Sequence, residues 1–67
     1  MPFIEVSIAE GRTDQQLRHM ISELHRSVEK TVAATPENTT VIVKEVPASL
    51  WSKGDRTIAE LRRGADQ

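Results

Sequence analysis

The chain has 67 residues without cysteine, and 9 lysines and arginines against 10 aspartates and glutamates give a formal net charge of −1. A domain this small buries only about 60% of the surface that its unfolded chain exposes, and disulfides are excluded as a remedy. The balanced charge disfavours a nucleic-acid partner, because binding by counterion release needs a basic excess. We expect a single domain over residues 1–67.

Membrane insertion, secretion and metal binding are also disfavoured. No apolar run approaches the roughly 18 residues of a membrane span, and the N-terminus lacks the basic and apolar regions of a signal peptide. His19 and His25 do not have the spacing that places two metal ligands on one helical face. We therefore expect a cytoplasmic protein with no membrane partner and no metal, stabilised by oligomerisation.

The first predicted element is a β-strand over residues 3–9, where apolar side chains alternate with others. Residues 10–12 form a turn. Thr13 and Gln16 then have the pattern of a capping box, in which each side chain bonds the backbone N–H of the other residue, so a helix is predicted to begin there. The helix carries one apolar stripe at spacings of three and four: Leu17, Met20, Ile21, Leu24, Val28 and Val32.

The helix should end near Thr35, because Pro36 disfavours helical geometry in the residue before it. A second strand is predicted over residues 39–46, which are rich in β-branched side chains and alternate in polarity. A crossover that contains a helix joins parallel strands, so the fold class is α/β, a β-α-β unit with two parallel strands and one long helix. Each strand exposes an edge, and we expect a second copy to pair there about a two-fold axis.

The pattern is weaker after the second strand. Residues 48–55 are predicted to form a loop or short hairpin, and residues 57–63 a short helix. Arg62 and Arg63 in that helix are interpreted as a solvated face. Residues 64–67 should fray.

Pro2 could carry chemistry if Met1 is removed, because removal exposes a secondary amine at the start of a strand. Such an amine is a nucleophile and can accept a proton. Burial disfavours the charged form of an amine and lowers its pKa, toward the range in which a general base works near neutral pH. The alternative is that Pro2 only begins a strand.

A run of features that starts at Pro2 has the order and spacing of a known family. The strand that follows the proline leads into Glu-Gly-Arg-Thr-Asp at residues 10–14, and then into an amphipathic helix. The strand at residues 41–46 and the aromatic Trp51 come next, so that about 60 residues are covered. In these features the chain resembles the 4-oxalocrotonate tautomerase family.

The resemblance implies a β-α-β subunit assembled as dimers into a hexamer, acting without cofactor or metal. It implies a keto-enol tautomerase for a small unsaturated 2-hydroxy or 2-oxo acid. Pro2 would be the general base, Arg12 would hold a carboxylate of the substrate, and Trp51 would form part of an apolar wall. A guanidinium suits the second role because it pairs bidentately with carboxylates. From the residues alone, an exposed turn arginine and a core or interface tryptophan remain alternatives.

Thr40 departs from the family pattern. The best-known members carry a second active-site arginine at this position, contributed by a neighbouring subunit, so we expect either a different substrate or a homologous partner that supplies an arginine. Lys44 lies on the same face of the strand but about 13 Å away at roughly 3.3 Å per residue, too far to stand in. Lys53 and Arg56 are the other candidates.

Two further functions are left open by the sequence. Hydrolytic dehalogenation or decarboxylation, known in the wider superfamily, would need a carboxylate to activate water, and none of Glu10, Glu45 and Asp55 is singled out. A non-catalytic or partner-dependent subunit of a hetero-oligomer is the other reading, if Met1 stays on the chain or the active partner is another polypeptide.

Overall fold

The computed structural model describes residues 1–65 and is built around one β-α-β unit followed by a small C-terminal segment. In chain order the elements are β1 (Phe3–Ala9), α1 (Asp14–Val32), β2 (Thr40–Val46), β3 (Ser52–Lys53), β4 (Arg56–Thr57) and α2 (Ile58–Ala65). Short 3₁₀ turns at Pro36–Asn38 and Ala48–Leu50 flank β2. The predicted α/β fold class is confirmed.

The two long strands pair in parallel, with Phe3 beside Thr40 at one end of the sheet and Ala9 beside Val46 at the other. Alternate residues on both strands are half-buried and the intervening ones are exposed, apart from the strand ends. The half-buried set consists of apolar side chains: Ile4, Val6, Ile8, Val41 and Val43. Because α1 packs against this sheet, the helix covers one face and leaves the other open.

Helix α1 begins at the predicted capping box. The Thr13 hydroxyl accepts from the Gln16 backbone N–H at 3.1 Å, and the Gln16 side-chain oxygen accepts from the Thr13 N–H at 2.9 Å. The helix ends at Val32, earlier than the predicted end near Thr35. Ala33 takes a left-handed conformation with φ of 58° and caps the helix, and Thr35 is extended, as the residue before a proline should be.

The C-terminal segment forms the short hairpin and the short helix that the sequence predicts. Strands β3 and β4 pair antiparallel around Gly54, whose φ of 67° suits glycine. The Thr57 hydroxyl accepts from the Glu60 N–H at 3.1 Å at the start of α2. Gly64 and Ala65, the first two residues of the segment that was expected to fray, belong to α2; residues 66–67 lie outside the described part.

A single chain does not enclose a core. No hydrophobic side chain within residues 1–64 is fully buried, and Phe3 remains 62% exposed on the open face of the sheet. The radius of gyration is 15.2 Å, against about 11 Å for a compact domain of this length. The accessible surface is 5176 Å², against about 4,250 Å² for a folded monomer of this mass. The single chain is therefore more extended and more exposed than a compact domain of its size.

Candidate active site

Pro2 lies at the amino end of the sheet, directly before β1, and is half-buried. Its carbonyl accepts a hydrogen bond of 3.0 Å from the backbone N–H of Thr40, the first residue of β2. Met1 is 95% exposed. The sheet therefore fixes the backbone of Pro2 while Met1 projects into solvent, where an aminopeptidase can reach it.

Arg12 lies beyond the opposite end of β1, in the turn that leads into α1. The turn depends on Gly11, whose φ of 134° is a conformation that side chains rarely adopt. Nη1 of Arg12 donates one long hydrogen bond, 3.3 Å, to the carbonyl of Ala9, and the residue is exposed. The guanidinium has five N–H donors, so it retains donors for a ligand.

Trp51 is at the same end of the sheet as Arg12. It follows the 3₁₀ turn after β2, is half-buried, and its carbonyl accepts from the Ile58 N–H at 2.7 Å. The structure thus places two of the predicted site residues toward one end of the sheet and Pro2 at the other. Strand β1 alone spans about 20 Å at roughly 3.3 Å per residue, so Pro2 and Arg12 of one chain do not form a common site.

Thr40 has an exposed side chain on the open face of the sheet, in register with Phe3. None of the predicted substitute cations lies beside it. Lys44 forms an exposed ion pair with Glu5 at 3.1 Å, and Lys53 follows β2 in the hairpin. Arg56 is in the same hairpin, with its guanidinium near Gly64 of α2. Within residues 1–65, none of these three candidates therefore lies at the position of the family's second arginine.

Arg62 is exposed, as the sequence predicts, and it also contacts the Arg12 turn. Its Nη1 donates to the carbonyl of Glu10 at 2.9 Å. No local pattern could have identified this contact, because the two residues are 52 positions apart.

A separate groove of about 430 Å³ runs along α1 and contains none of the predicted site residues. Its lining residues are Arg18, Ser22, His25, Arg26, Glu29 and Pro36. Within the described residues there is no group of three or more histidines, aspartates and glutamates that could hold a metal ion. No helix of that part of the chain has the length and apolar character needed to cross a membrane.

Comparison with known proteins identifies the family. A family model described as "Tautomerase enzyme" matches residues 2–60. The chain is 39% identical to a probable tautomerase of Staphylococcus saprophyticus, over 73% of this chain and 80% of that protein. The solved structure of TomN, a 4-oxalocrotonate tautomerase homologue in the tomaymycin biosynthetic pathway, is similar with a TM-score of 0.88 and 33% identity, covering 98% of this chain and 100% of that one.

A heterohexamer 4-oxalocrotonate tautomerase from Chloroflexus aurantiacus is also similar, with a TM-score of 0.85 and 26% identity over 92% of this chain and 100% of that one. The family match and the structural similarity both include β1, α1 and β2. The chain therefore belongs to the tautomerase family, as a homologue of 4-oxalocrotonate tautomerase, and is an isomerase.

Proposed function

We propose that this protein interconverts the enol and keto forms of a small unsaturated 2-hydroxy or 2-oxo acid, with the amine of Pro2 as the general base. The observation that carries the proposal is the position of Pro2, half-buried at the start of β1 with its carbonyl bonded to Thr40 and Met1 exposed. The family match that begins at residue 2 supports it.

The chemistry needs a processed chain. While Met1 is attached, the nitrogen of Pro2 is an amide and cannot accept a proton. After removal it is a secondary amine, which takes the hydroxyl proton of the enol and delivers a proton to a carbon of the conjugated system, leaving the ketone. No cofactor takes part in this transfer, and activity should fall at low pH because a protonated amine is not a base.

We propose that each site is shared by two chains. Pro2 and Arg12 mark opposite ends of β1, and β1 has one edge that β2 does not cover. If two copies pair antiparallel along this edge about a two-fold axis, Pro2 of one copy meets the Arg12 turn of the other, twice per dimer. The result is a four-stranded sheet under two helices, with residues 1–67 as a single domain.

Further assembly of these dimers into a homo-hexamer would cover the open face of the sheet. Phe3 and Ile42 expose 62% and 38% of their surface there. The surface in excess of a compact monomer is about 900 Å² per chain, which is close to the roughly 800 Å² that each partner buries in a standard interface. Burial of this size corresponds to one interface per chain.

Arg12 would hold the substrate carboxylate, and Trp51 would form part of the apolar wall. None of the ion pairs among residues 1–65 involves Arg12, and its one hydrogen bond is long. Its charge is therefore available to an anionic ligand. Trp51 lies toward the same end of the sheet and is only half-buried, so its ring retains surface for contact with a substrate.

A partner-dependent subunit is the second candidate function, and Thr40 is the observation that favours it. In the described part of the chain, Lys44 pairs with Glu5 and Arg56 lies near Gly64, so a homologous subunit is a source for the cation that these residues do not supply beside Thr40. The similar tautomerase from Chloroflexus aurantiacus is a heterohexamer. The test is affinity capture of the tagged chain from its native organism. Recovery of a homologous polypeptide in equal amount with the tagged chain would favour this candidate.

The test of Pro2 is an assay of 2-hydroxymuconate ketonisation with protein whose intact mass shows loss of one methionine. Pro2→Ala should lose roughly 10²- to 10⁴-fold in kcat/KM, the usual worth of a general base, with a residual rate from its primary amine. The matched control is the unchanged sequence with Met1 retained, which should be inactive. Wild-type rates in Pro2→Ala, or in the Met1-bearing protein, would refute the assignment.

A further inference from the structure

Arg62 joins two parts of the chain that are far apart in sequence. It lies on α2, and its Nη1 donates to the carbonyl of Glu10 at 2.9 Å. Within the described residues, every other hydrogen bond made by a side chain joins residues no more than four positions apart. This contact therefore links α2 to the turn after β1.

The guanidinium of Arg62 also lies over the open face of Gly11. A Cβ added to Gly11 would be 3.3 Å from Nη1, 3.6 Å from Nη2 and 3.8 Å from Cζ of Arg62. Because all three atoms are at similar distances, the guanidinium of Arg62 covers the glycine. Glycine suits this position because of its φ of 134°; an added Cβ would meet only the flexible end of Arg62.

The same turn carries Arg12, and α2 is tied to the segment that carries Trp51. The Ile58 N–H at the start of α2 donates to the Trp51 carbonyl at 2.7 Å, and α2 packs on the 3₁₀ turn at Ala48–Leu50. The side chain of Arg62 thus links the turn that carries Arg12 to the helix that is bonded to Trp51. Without that link, the Arg12 turn is still held by α1, by the bond from the Glu10 N–H to the Val46 carbonyl and by the long bond from Arg12 to the Ala9 carbonyl.

We propose that Arg62 is a positioning residue, which fixes the Arg12 turn against α2 so that Arg12 meets the carboxylate of the substrate, and Trp51 its apolar part, in a constant arrangement. The proposal rests on the proposed function for the nature of the ligand. It assigns Arg62 an effect on carboxylate binding and none on proton transfer at Pro2.

Kinetics on the processed full chain separate these effects. Arg62→Ala should raise KM for 2-hydroxymuconate by roughly 3- to 10-fold, the worth of one hydrogen bond, with kcat little changed. Because Arg62 acts through Arg12, the double variant Arg12→Ala/Arg62→Ala should be no worse than Arg12→Ala. Arg62→Lys, which keeps one donor, should recover part of the loss. Arg63→Ala, which removes the same charge from the next position of α2, should behave as wild type.

A binding measurement makes the result independent of turnover. Trp51 is the only tryptophan, so its fluorescence can report titration with a non-reacting dicarboxylate such as fumarate. Dissociation constants should follow the same pattern as KM, and deuterium uptake of peptides covering residues 9–13 should rise in Arg62→Ala but not in Arg63→Ala. An inactive wild type that still shows this pattern would refute the proposed function and support Arg62 as a positioning residue. Unchanged uptake, or a loss that adds to that of Arg12→Ala, would overturn the assignment of Arg62.

Discussion

Installing the missing arginine by Thr40→Arg should raise tautomerase activity on 2-hydroxymuconate. Thr40 is exposed on the open face of the sheet, and its structural bond to Pro2 is made by the backbone N–H, not by the side chain. A longer side chain can therefore leave this face without disturbing β2. It would project beside Phe3 from the open face of the sheet, the face that a neighbouring chain is proposed to cover.

The size of the gain follows from what the new charge can do. Preorganised donors aimed at developing negative charge are worth about 10²- to 10³-fold in kcat. A side chain added at an exposed position is less preorganised, so a charged hydrogen bond of about 1.5 to 3 kcal/mol is the better guide. We expect kcat/KM to rise roughly 10- to 100-fold on that scale, measured as the rate of loss of dienol absorbance at low substrate concentration.

Two variants control for size and position. Thr40→Gln lengthens the side chain without a charge, and Ile42→Arg adds the same charge on the same face, one pair further along and opposite Glu5. Neither should raise the rate as Thr40→Arg does, because a shift of two residues moves the cation about 7 Å. A Thr40→Arg protein that is folded and oligomeric but shows unchanged kcat/KM would mean that residue 40 does not face the site.

Three other predictions concern binding, assembly and stability. Arg12→Ala should weaken transition-state binding of carboxylate enols, measured from kcat/KM, by about 1.5 to 3 kcal/mol. An unchanged kcat/KM would mean that Arg12 is only an exposed turn residue. Light scattering at micromolar concentration should give several times the chain mass of 7.5 kDa, whereas a stable monomer would contradict the shared site. Thr13→Ala should lower the free energy of unfolding by about 1 kcal/mol in urea titrations, because both bonds of the capping box are made. Thr13→Ser should retain most of the stabilisation that the capping box provides.

Local patterns predicted the elements of this fold well, because each pattern acts over a few residues. The alternation of apolar residues in β1 correctly predicted which side chains are half-buried, and Thr13 with Gln16 correctly predicted the start of α1. The end of α1 was predicted too late, since Pro36 constrains only Thr35 and nothing in the sequence signals that Ala33 takes a left-handed cap. The start of α1 was predictable because the side chains of Thr13 and Gln16 themselves make the capping bonds. The end was not, because the side chain of Ala33 does not favour the left-handed conformation that it adopts.

The arrangement of the site could not be predicted in the same way. Arg62 meets Glu10 across 52 positions, and such a contact depends on where α2 packs, which no local pattern specifies. The separation of Pro2 from Arg12 by the length of β1 follows only once the strand is known to be straight and paired along its whole length. That separation is what moves the proposed site from one chain to two.

The central claim, a site made of Pro2 from one chain and Arg12 from another, is tested most directly by mixing two variants of low activity. Pro2→Ala and Arg12→Ala chains, each free of Met1, are refolded together in equal amounts, and mixed oligomers are verified by mass. In a mixed pair, one site combines the intact Pro2 with the intact Arg12, so random assortment should restore about a quarter of the wild-type activity. If the mixture remains as inactive as the separate variants while mixed oligomers are present, Pro2 and Arg12 do not act across chains and the account is wrong.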